Sequence, residues 1–592
     1  MRLSSIRIIS GISCLLFAAA GWRAASHSSS HLTAEAQTAK PVSTATGSGA
    51  KLHPISASVP TTTKLAPPVA APGTEIYTAK RGEAIPTIAR HYLGRTSYLT
   101  SSELADAIRH VNGDRTANIL KANENIIIPG ILSAPVTEKT IPVAKDFEVR
   151  AIYLTGIMAG SEHGLRIIRH WREVGGNAVV FDIKDSDGSV TIPYDHPLLS
   201  PHNVYIHDVP KLVRFLHQQN MHAIARIAIF RDERLVKEHP ELAVQSRKNH
   251  QAWHENGKLV WTDPSQPKVQ DYNIALAKHV AQLGADEIQF DYVRFPAEGD
   301  QKDAAFVYQN GQEPEPAPDA GSAHSTCGDG RLGRPAEAKQ GGTATATDAK
   351  RAGTTAEATS TSSPAGATDN SPAKRRVRAK NSNKSPRDGT TAACHVPRGP
   401  QRSDVITAFL KKAYAELHPT GVLFSLDVFG VMAWQRPVDL AHTGQDIVGM
   451  AHYCDVLSPM IYPSHFFGMD NIAHPGDEPA HFIGESMDRF ELITHPDGNK
   501  SSGVVIRPWL QAFHWRTRTY SPEYIKVQVE TAKDKGGIGF LFWNAGNDYS
   551  KPYTAMPEMK SANLKDSSKA PKYFRGDELP VATTQAALGP VK

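Results

Sequence analysis

Ala285-Asp286-Glu287-Ile288-Gln289-Phe290-Asp291-Tyr292-Val293-Arg294-Phe295-Pro296 alternates apolar Ile288, Phe290 and Tyr292 with polar Glu287, Gln289 and Asp291. A strand of period two sends these sets to opposite faces, one greasy and one carrying two carboxylates and an amide. Arg294 follows where the strand is expected to end. Acids on one face make a poor structural strand and a good catalytic one. Barrel enzymes place such residues at the C-terminal ends of their strands.

Working outward, the same reading yields further strands at Val149–Thr155, Ala178–Asp185, Ala223–Phe230, Val422–Phe429, Val456–Tyr462, Val504–Phe513 and Ile538–Asn544. Amphipathic runs separate most of them: Leu165–Val174, Val209–Gln219, Val269–Leu283, Asp404–Leu417, Phe482–Ile493 and Tyr524–Lys535. Strand–helix alternation implies a parallel sheet. Eight such units over this span predict an α/β fold of the (β/α)8 TIM-barrel type, with its first half at 147–296 and its second at 401–564. An open doubly wound sheet would want a glycine-rich phosphate turn after an early strand, and none occurs.

The chain has 592 residues, enough for two or three folded units plus linkers. A net charge of +5 is too small to argue for a nucleic-acid partner. Residues 1–25 read as a signal peptide: Arg2 and Arg7, then an apolar run from Ile8 to Ala20 ending in small residues. That run is short for a bilayer span, so no stable membrane insertion is expected after cleavage, and a secreted, periplasmic or cell-wall location is. Residues 26–74, rich in Ser, Thr, Ala and Pro, read as a disordered linker. Residues 297–400 carry few large apolar side chains and are expected to be a disordered insertion after the fourth strand, with 565–592 a disordered tail. The basic cluster Lys374–Lys380 reads as solvated linker. Of the 4 cysteines, Cys327 and Cys394 are free to pair after export, which sequence leaves open. The cysteines and histidines show no metal-type spacing, so neither a metal nor another cofactor is expected.

A compact segment, 75–131, reads strand, helix, helix, strand, with Ser101 or Ser102 capping the second helix. Its order and the residues Tyr77, Gly82, Ile88-Ala89 and Ile127-Ile128-Pro129-Gly130 resemble a LysM module. The resemblance implies binding of N-acetylglucosamine-containing glycans such as peptidoglycan, with Gly82, Glu83, Ala84, Ile85 and Asn123 on the loops of the sugar groove.

Reading the polar lane of each strand collects Asp182 and Lys184, with Asp185 just beyond, on the second; Arg226 on the third; Gln289 and Asp291, with Arg294 at the rim, on the fourth; and Asp427 on the fifth. Tyr462 ends the sixth, Trp509 and Gln511 lie on the seventh and Trp543 on the eighth. Aromatic faces suit sugar rings, and acids and amides match hydroxyls. Glycosidic cleavage needs two carboxyl groups. Asp291 is the candidate nucleophile, because Arg294 or Arg226 can hold it ionised, and Asp427 on the neighbouring strand is the candidate proton donor.

Val149–Thr155, Phe181–Asp185 and Asp286–Pro296 resemble the bacterial family known as "putative glycoside hydrolase", which has an amylase-like barrel and a Phe-Asp-Tyr-x-Arg-Phe-Pro signature. The resemblance implies the same pair, Asp291 and Asp427. It departs from the wider amylase-like group at Gln289, where that group has Arg, and at Asp427, where it has Glu. The expected function is hydrolysis of a cell-wall or extracellular polysaccharide. The alternatives are a non-catalytic glycan-binding or wall-organising protein and a glycan transferase.

Overall fold

The computed structural model describes residues 70–258, 260–310, 399–498 and 503–562. The readings made for residues 1–25, for most of the linker and the insertion, for the Cys327–Cys394 pair and for the tail lie outside them.

Eight parallel strand positions close into a ring. In order they are Val149–Leu154, Ala178–Lys184, His222–Ala228, Glu287–Asp291, Leu423–Phe429, Val456–Ile461, a broken seventh made of Val505–Ile506 and Trp509–Gln511, and Gly539–Trp543. The eighth pairs with the first through Gly539↔Val149 to Phe542↔Ile152, which closes the barrel. The seventh breaks at Arg507-Pro508, because proline cannot donate to a ladder. The helices lie where the amphipathic runs predict, all but the one at Val209–Gln218 beginning two or three residues earlier. Pro210, Pro267, Pro479 and Pro522 occupy first-turn positions, where a missing N–H is harmless. A last helix, Ser550–Ala562, has no counterpart in the sequence reading.

Two apolar layers result. Ile288, Phe290, Phe424 and Leu426 face the helices in one core. Val149, Ala151, Ala178, Val180, Ile224 and Leu541 fill the barrel in another. Ions sit inside the barrel as well. Arg507 donates to both oxygens of Glu287 at 3.0 and 2.8 Å, and His222 Nε2 lies 3.0 Å from Glu287. Burial alone would raise the Glu287 carboxyl, but Arg507 and His222 overturn that and hold it at about 2.

Two local irregularities change which way side chains point. The register of the second strand against the third slips between Asp182, opposite Arg226, and Lys184, opposite Ile227. This bulge turns Lys184 out of the barrel. It is buried against the helix at 267–282, pairing with Asp232 at 2.7 Å and donating to Asn273 Oδ1 at 3.0 Å. Lys184 was expected to face the barrel mouth beside Asp182, and it does not. The fourth strand was expected to run to Phe295 and stops at Asp291, because Tyr292 takes φ +54°. A bulky side chain in the left-handed region is uncommon and strained. The turn moves Tyr292 off the greasy face it was expected to share with Phe290 and onto the cavity lining.

Residues 297–310, expected to belong to the unfolded tract, are packed. Ala304–Ala305 pairs antiparallel with Gln245–Ser246, and Phe306 and Tyr308 stand edge-on to Phe295 at 4.9 and 5.8 Å. Phe306 is buried and Tyr308 half-buried there, which anchors an otherwise largely polar and partly exposed stretch. The segment 75–131 has the predicted strand–helix–helix–strand order, with Thr74–Thr78 antiparallel to Asn125–Pro129. Its second helix is capped by Thr100 in a capping box with Glu103, not by Ser101 or Ser102. The segment is docked on the barrel helices: Lys211 Nζ donates to Leu93 O at 2.8 Å, and Arg169 pairs with Glu103 at 3.1 Å. No helix among the described residues is long and apolar enough to cross a membrane.

The barrel floor carries a pH-sensitive contact. His217 Nε2 lies 3.0 Å from Asp286 Oδ2, and Glu138 is 3.5 Å away. Burial would lower the imidazole, yet these two carboxylates lift it to about 9. A folded value above the unfolded one of about 6.5 means a proton is taken up on folding. The stabilisation is therefore complete below pH ~6.5 and lost as pH rises through ~9, a change of about 3 kcal/mol. Urea unfolding of wild type and His217→Gln at both ends of that window checks it. The gap between the two proteins is expected to shrink as pH rises, and a constant gap would contradict the assignment.

Candidate active site

Arg226 organises the open end of the barrel. It projects inward from the third strand with 2% of its surface exposed. One nitrogen donates to Asp182 Oδ1 at 2.5 Å, and two donate to Asp291 Oδ2 at 3.1 and 2.6 Å. Its Nε is also 3.8 Å from Asp427 Oδ2. Neighbouring parallel strands place these groups side by side, since Asp182 is opposite Arg226 and Ala228 opposite Asp291 in the ladders. Sharing one nitrogen, the Asp291 and Asp427 oxygens are no more than about 7 Å apart, which spans retaining pairs (about 5–5.5 Å) and the short edge of inverting ones (about 6.5–9.5 Å).

The environments of these carboxyls differ. Asp427 is 1% exposed and accepts a hydrogen bond from Trp509 Nε1 at 2.7 Å. Burial, followed by the nearby charge of Asp291, pushes its carboxyl well above the usual carboxylate range, against the pull of Arg226 and Trp509. Asp182 accepts from Tyr153 Oη and is pushed up to about 7, by burial and by the charge of Asp185, against Arg226. Asp291 has the bidentate guanidinium contact and the Tyr292 backbone N–H at 2.6 Å on its other oxygen. A buried carboxyl raised in proton affinity beside a guanidinium-bound carboxyl is an arrangement that acid–base chemistry can use.

A cavity of about 40 Å³ opens between them, lined by Arg226, Asp291, Asp427, Arg294, Tyr462 and Trp509, with Tyr292, Trp543, Phe429, Gln445 and Met460 completing the wall. Trp543 stacks on Tyr153 at 4.1 Å and stands edge-on to Trp509 at 5.7 Å. Trp509 is 1% exposed, so its part is to aim Asp427 through the indole N–H rather than to offer a sugar its face.

Several predicted residues lie elsewhere or act differently. Arg294 was expected to help hold Asp291. It makes no ion pair with Asp291 within 4.0 Å and acts on it by charge only, its guanidinium lying over Trp261 and Phe429, 4.5 Å from each ring centre. Gln289 is sealed deeper in the barrel and donates to Ser458 Oγ at 3.3 Å. Gln511 holds loops together, accepting from Ser464 N and donating to Phe513 O. Asp185 is half-buried in the turn after the second strand, where it acts on Asp182 by charge alone.

Sequence reading passed over Tyr153, Tyr292, Phe429, Gln445 and Met460. Tyr153 and Phe429 lie on predicted strands and were legible there by alternation. Gln445, which accepts from Phe429 N and donates to Val293 O, comes from a loop and carries no such signal.

In the small domain, Gly82 (φ +80°) and Asn123 (φ +63°) occupy loop positions that demand left-handed backbone. The two loops are bonded to each other, through Leu120 N to Glu83 O and Ile85 N to Asn118 O, with Ala84 bridging Ile119. Ile85 is fully buried in the domain's own core, so it is not a groove contact. The Glu83 carboxylate is engaged internally, accepting from Lys80 N at 2.7 Å and from Tyr77 Oη.

Three solved structures similar to this chain have low overall superposition. A hypothetical protein from Ruminiclostridium thermocellum is 36% identical over 27% of this chain and 84% of its own, with a TM-score of 0.24. The PgaB (BpsB) glycoside hydrolase domain from Bordetella bronchiseptica is 12% identical over 69% of this chain and 98% of its own, with a TM-score of 0.42. The spore cortex-lytic enzyme SleL from Bacillus megaterium is 10% identical over 81% of this chain and 85% of its own, with a TM-score of 0.33. No curated protein matches the chain. A family model described as "Putative glycosyl hydrolase domain" matches residues 151–549, from the first barrel strand to the turn after the eighth and including every carboxylate around Arg226, and the chain belongs to that family.

Proposed function

We propose that the protein is an exported glycoside hydrolase that cleaves a cell-wall or extracellular polysaccharide. Asp291 acts as the nucleophile, or as the base for water, and Asp427 protonates the leaving oxygen. The observation that carries this reading is the shared Arg226. One guanidinium clamps Asp291 in two hydrogen bonds, while Asp427, 3.8 Å from the same nitrogen, is buried where its neutral form is favoured. A carboxylate and a carboxylic acid then face one cavity at a spacing suited to glycosidic chemistry.

Met460, half-buried and with three rotatable bonds, is the lining side chain best able to adjust to a bound sugar. The LysM-like domain fits the same reading as a glycan-holding element docked on the catalytic barrel, in keeping with a secreted, periplasmic or wall-associated location.

The test is a glycan panel with detection of released reducing ends, run on wild type and on Asp427→Asn. The variant is expected to lose about 10²–10⁴-fold in rate on natural linkages. It should lose far less on aryl glycosides whose leaving group needs no proton. Wild-type activity should fall on the alkaline side as Asp427 gives up its proton. Equal losses on both substrate types would remove Asp427 from the donor role, and retained sugar binding without any released ends would favour a non-catalytic protein.

A further inference from the structure

The cavity holds a cation that the two-carboxylate chemistry does not use. Arg294 lies two residues beyond the left-handed turn at Tyr292 and is 8% exposed. Its flat faces are covered by Trp261 and Phe429, and Tyr292 lies 5.6 Å from its centre. One nitrogen donates to Phe295 O at 3.1 Å. Among the described residues no carboxylate lies within 4.0 Å of it, and the residue lines the cavity.

A second guanidinium stands close by. Arg231 packs over the same tyrosine at 5.3 Å, donates to Tyr292 Oη at 3.2 Å and leaves its Nε without a partner. It too has no carboxylate within 4.0 Å among the described residues. Glu255 acts by charge on both, with Asp291 acting on Arg294 and Asp185 on Arg231 as well, but one Glu255 oxygen is on Trp261 Nε1 and the other on the Glu298 N–H. Two like charges held close in a buried setting, neither with a carboxylate in ion-pair range, are costly unless a ligand completes them.

The balance around the cavity points the same way. Its charged wall consists of Arg226, Arg294, Asp291 and Asp427. Arg226 spends its hydrogen bonds on Asp182 and Asp291, so Arg294 is the guanidinium of that wall with no carboxylate within 4.0 Å among the described residues. A planar fork of N–H donors pinned between aromatic rings is built for a carboxylate, which takes parallel hydrogen bonds from it.

We propose that Arg294 receives a carboxylate carried by the sugar seated against Asp291, so that the substrate is a glycan of acidic sugars. This rests on the glycosidic reading above and narrows it. The carboxylate can belong to the ring, as in a uronic acid, or to an ether-linked acid on it, as in muramic acid. Cleavage itself neither needs nor consumes this group, which fixes the ring's position and orientation.

The experiment uses the full chain. Polygalacturonate, alginate, hyaluronan and de-peptided peptidoglycan strands are offered as such and after chemical reduction of their carboxyls to alcohols. Wild type, Arg294→Met and Arg294→Lys are compared by reducing-end release. The expected result is that one acidic polymer is cut about 10²-fold better in kcat/KM than its reduced form. Arg294→Met should erase that preference, its kcat/KM on the acidic polymer falling to that on the reduced one, with urea unfolding of the variant checking that it is folded. Arg294→Lys should restore only part of it, since a point charge lacks the fork. The polymer chosen tells a ring carboxylate from an ether-linked one. Equal cleavage of acidic and reduced forms, or an unchanged preference in Arg294→Met, overturns the proposal.

If no polymer is cut by wild type, the hydrolase reading fails by itself, and the carboxylate seat is judged by calorimetry with the acidic oligosaccharides. Binding at least tenfold weaker after carboxyl reduction or in Arg294→Met upholds it. No binding, or equal binding, overturns it.

Discussion

Asp291→Asn is expected to abolish glycan cleavage, by about 10⁴-fold or more in kcat, while leaving the protein folded. The substitution keeps the shape of the side chain and removes the charge that attacks or activates. It leaves Arg226 its contact with Asp182, so the buried guanidinium is not orphaned. Three carboxyls crowd one arginine in the wild type, and removing one relieves repulsion. Urea unfolding should accordingly stay within about 1 kcal/mol of wild type, as for an exchange that leaves no buried charge unpaired. There is a second signature. The charge of Asp291 helps keep the Asp427 proton in place, so in the variant Asp427 should titrate lower. Infrared or NMR titration of the Asp427 carboxyl reads this directly, whatever the residual rate. Cleavage at near wild-type rate, or an unmoved Asp427, would remove Asp291 from the site chemistry.

Arg226→Met should be the most damaging single change to the fold of the site. Its guanidinium is the common partner of Asp182, Asp291 and Asp427, two of which are fully enclosed. Removing one partner of a buried ion pair typically destabilises by about 3–5 kcal/mol, because the remaining charge is uncompensated. The orphaned carboxyls have an escape, which is to stay protonated, and this gives the effect a pH signature. Already in the wild type the Asp182 carboxyl is lifted to about 7, by burial first and by the charge of Asp185, against the opposing pull of Arg226. A folded value raised above the unfolded one of about 3.9 means that the fold binds the extra proton, so stability falls as pH rises through that window. Without Arg226 the window widens upward. The variant should be close to wild type near pH 5 and weakest near pH 8, with catalysis lost at both, and a pH-independent loss of stability would show that packing rather than charge is what Arg226 contributes.

The barrel was legible because its signal is repeated. Apolar period-two runs alternating with helical ones recur along the chain, and each copy supports the same sheet. The carboxylates were legible because the alternation of Glu287, Gln289 and Asp291 fixes a common face, and ladder register then brings Asp427 beside them. Alternation fails where the backbone departs from ideal geometry. The slip after Asp182 sends Lys184 to Asp232 instead of to the mouth, and the left-handed turn at Tyr292 converts a greasy-face residue into a cavity wall. Neither departure has a marker in composition, because both depend on what the neighbouring strand and the aromatic loop residues demand. Gln511 shows the same limit, since its place in the polar lane was right and its partners are loop backbones that no local pattern announces.

Sequence alone determined the class of fold, the order of its elements and which acids share the barrel's interior, because side-chain direction in a strand follows from parity. Only the tertiary structure decided which of those acids keeps its proton, which arginine is committed and which is left open to a ligand. Proton affinity and ion pairing depend on distance and burial between residues far apart in the chain, such as Arg226 with Asp427 and Arg294 with Trp261.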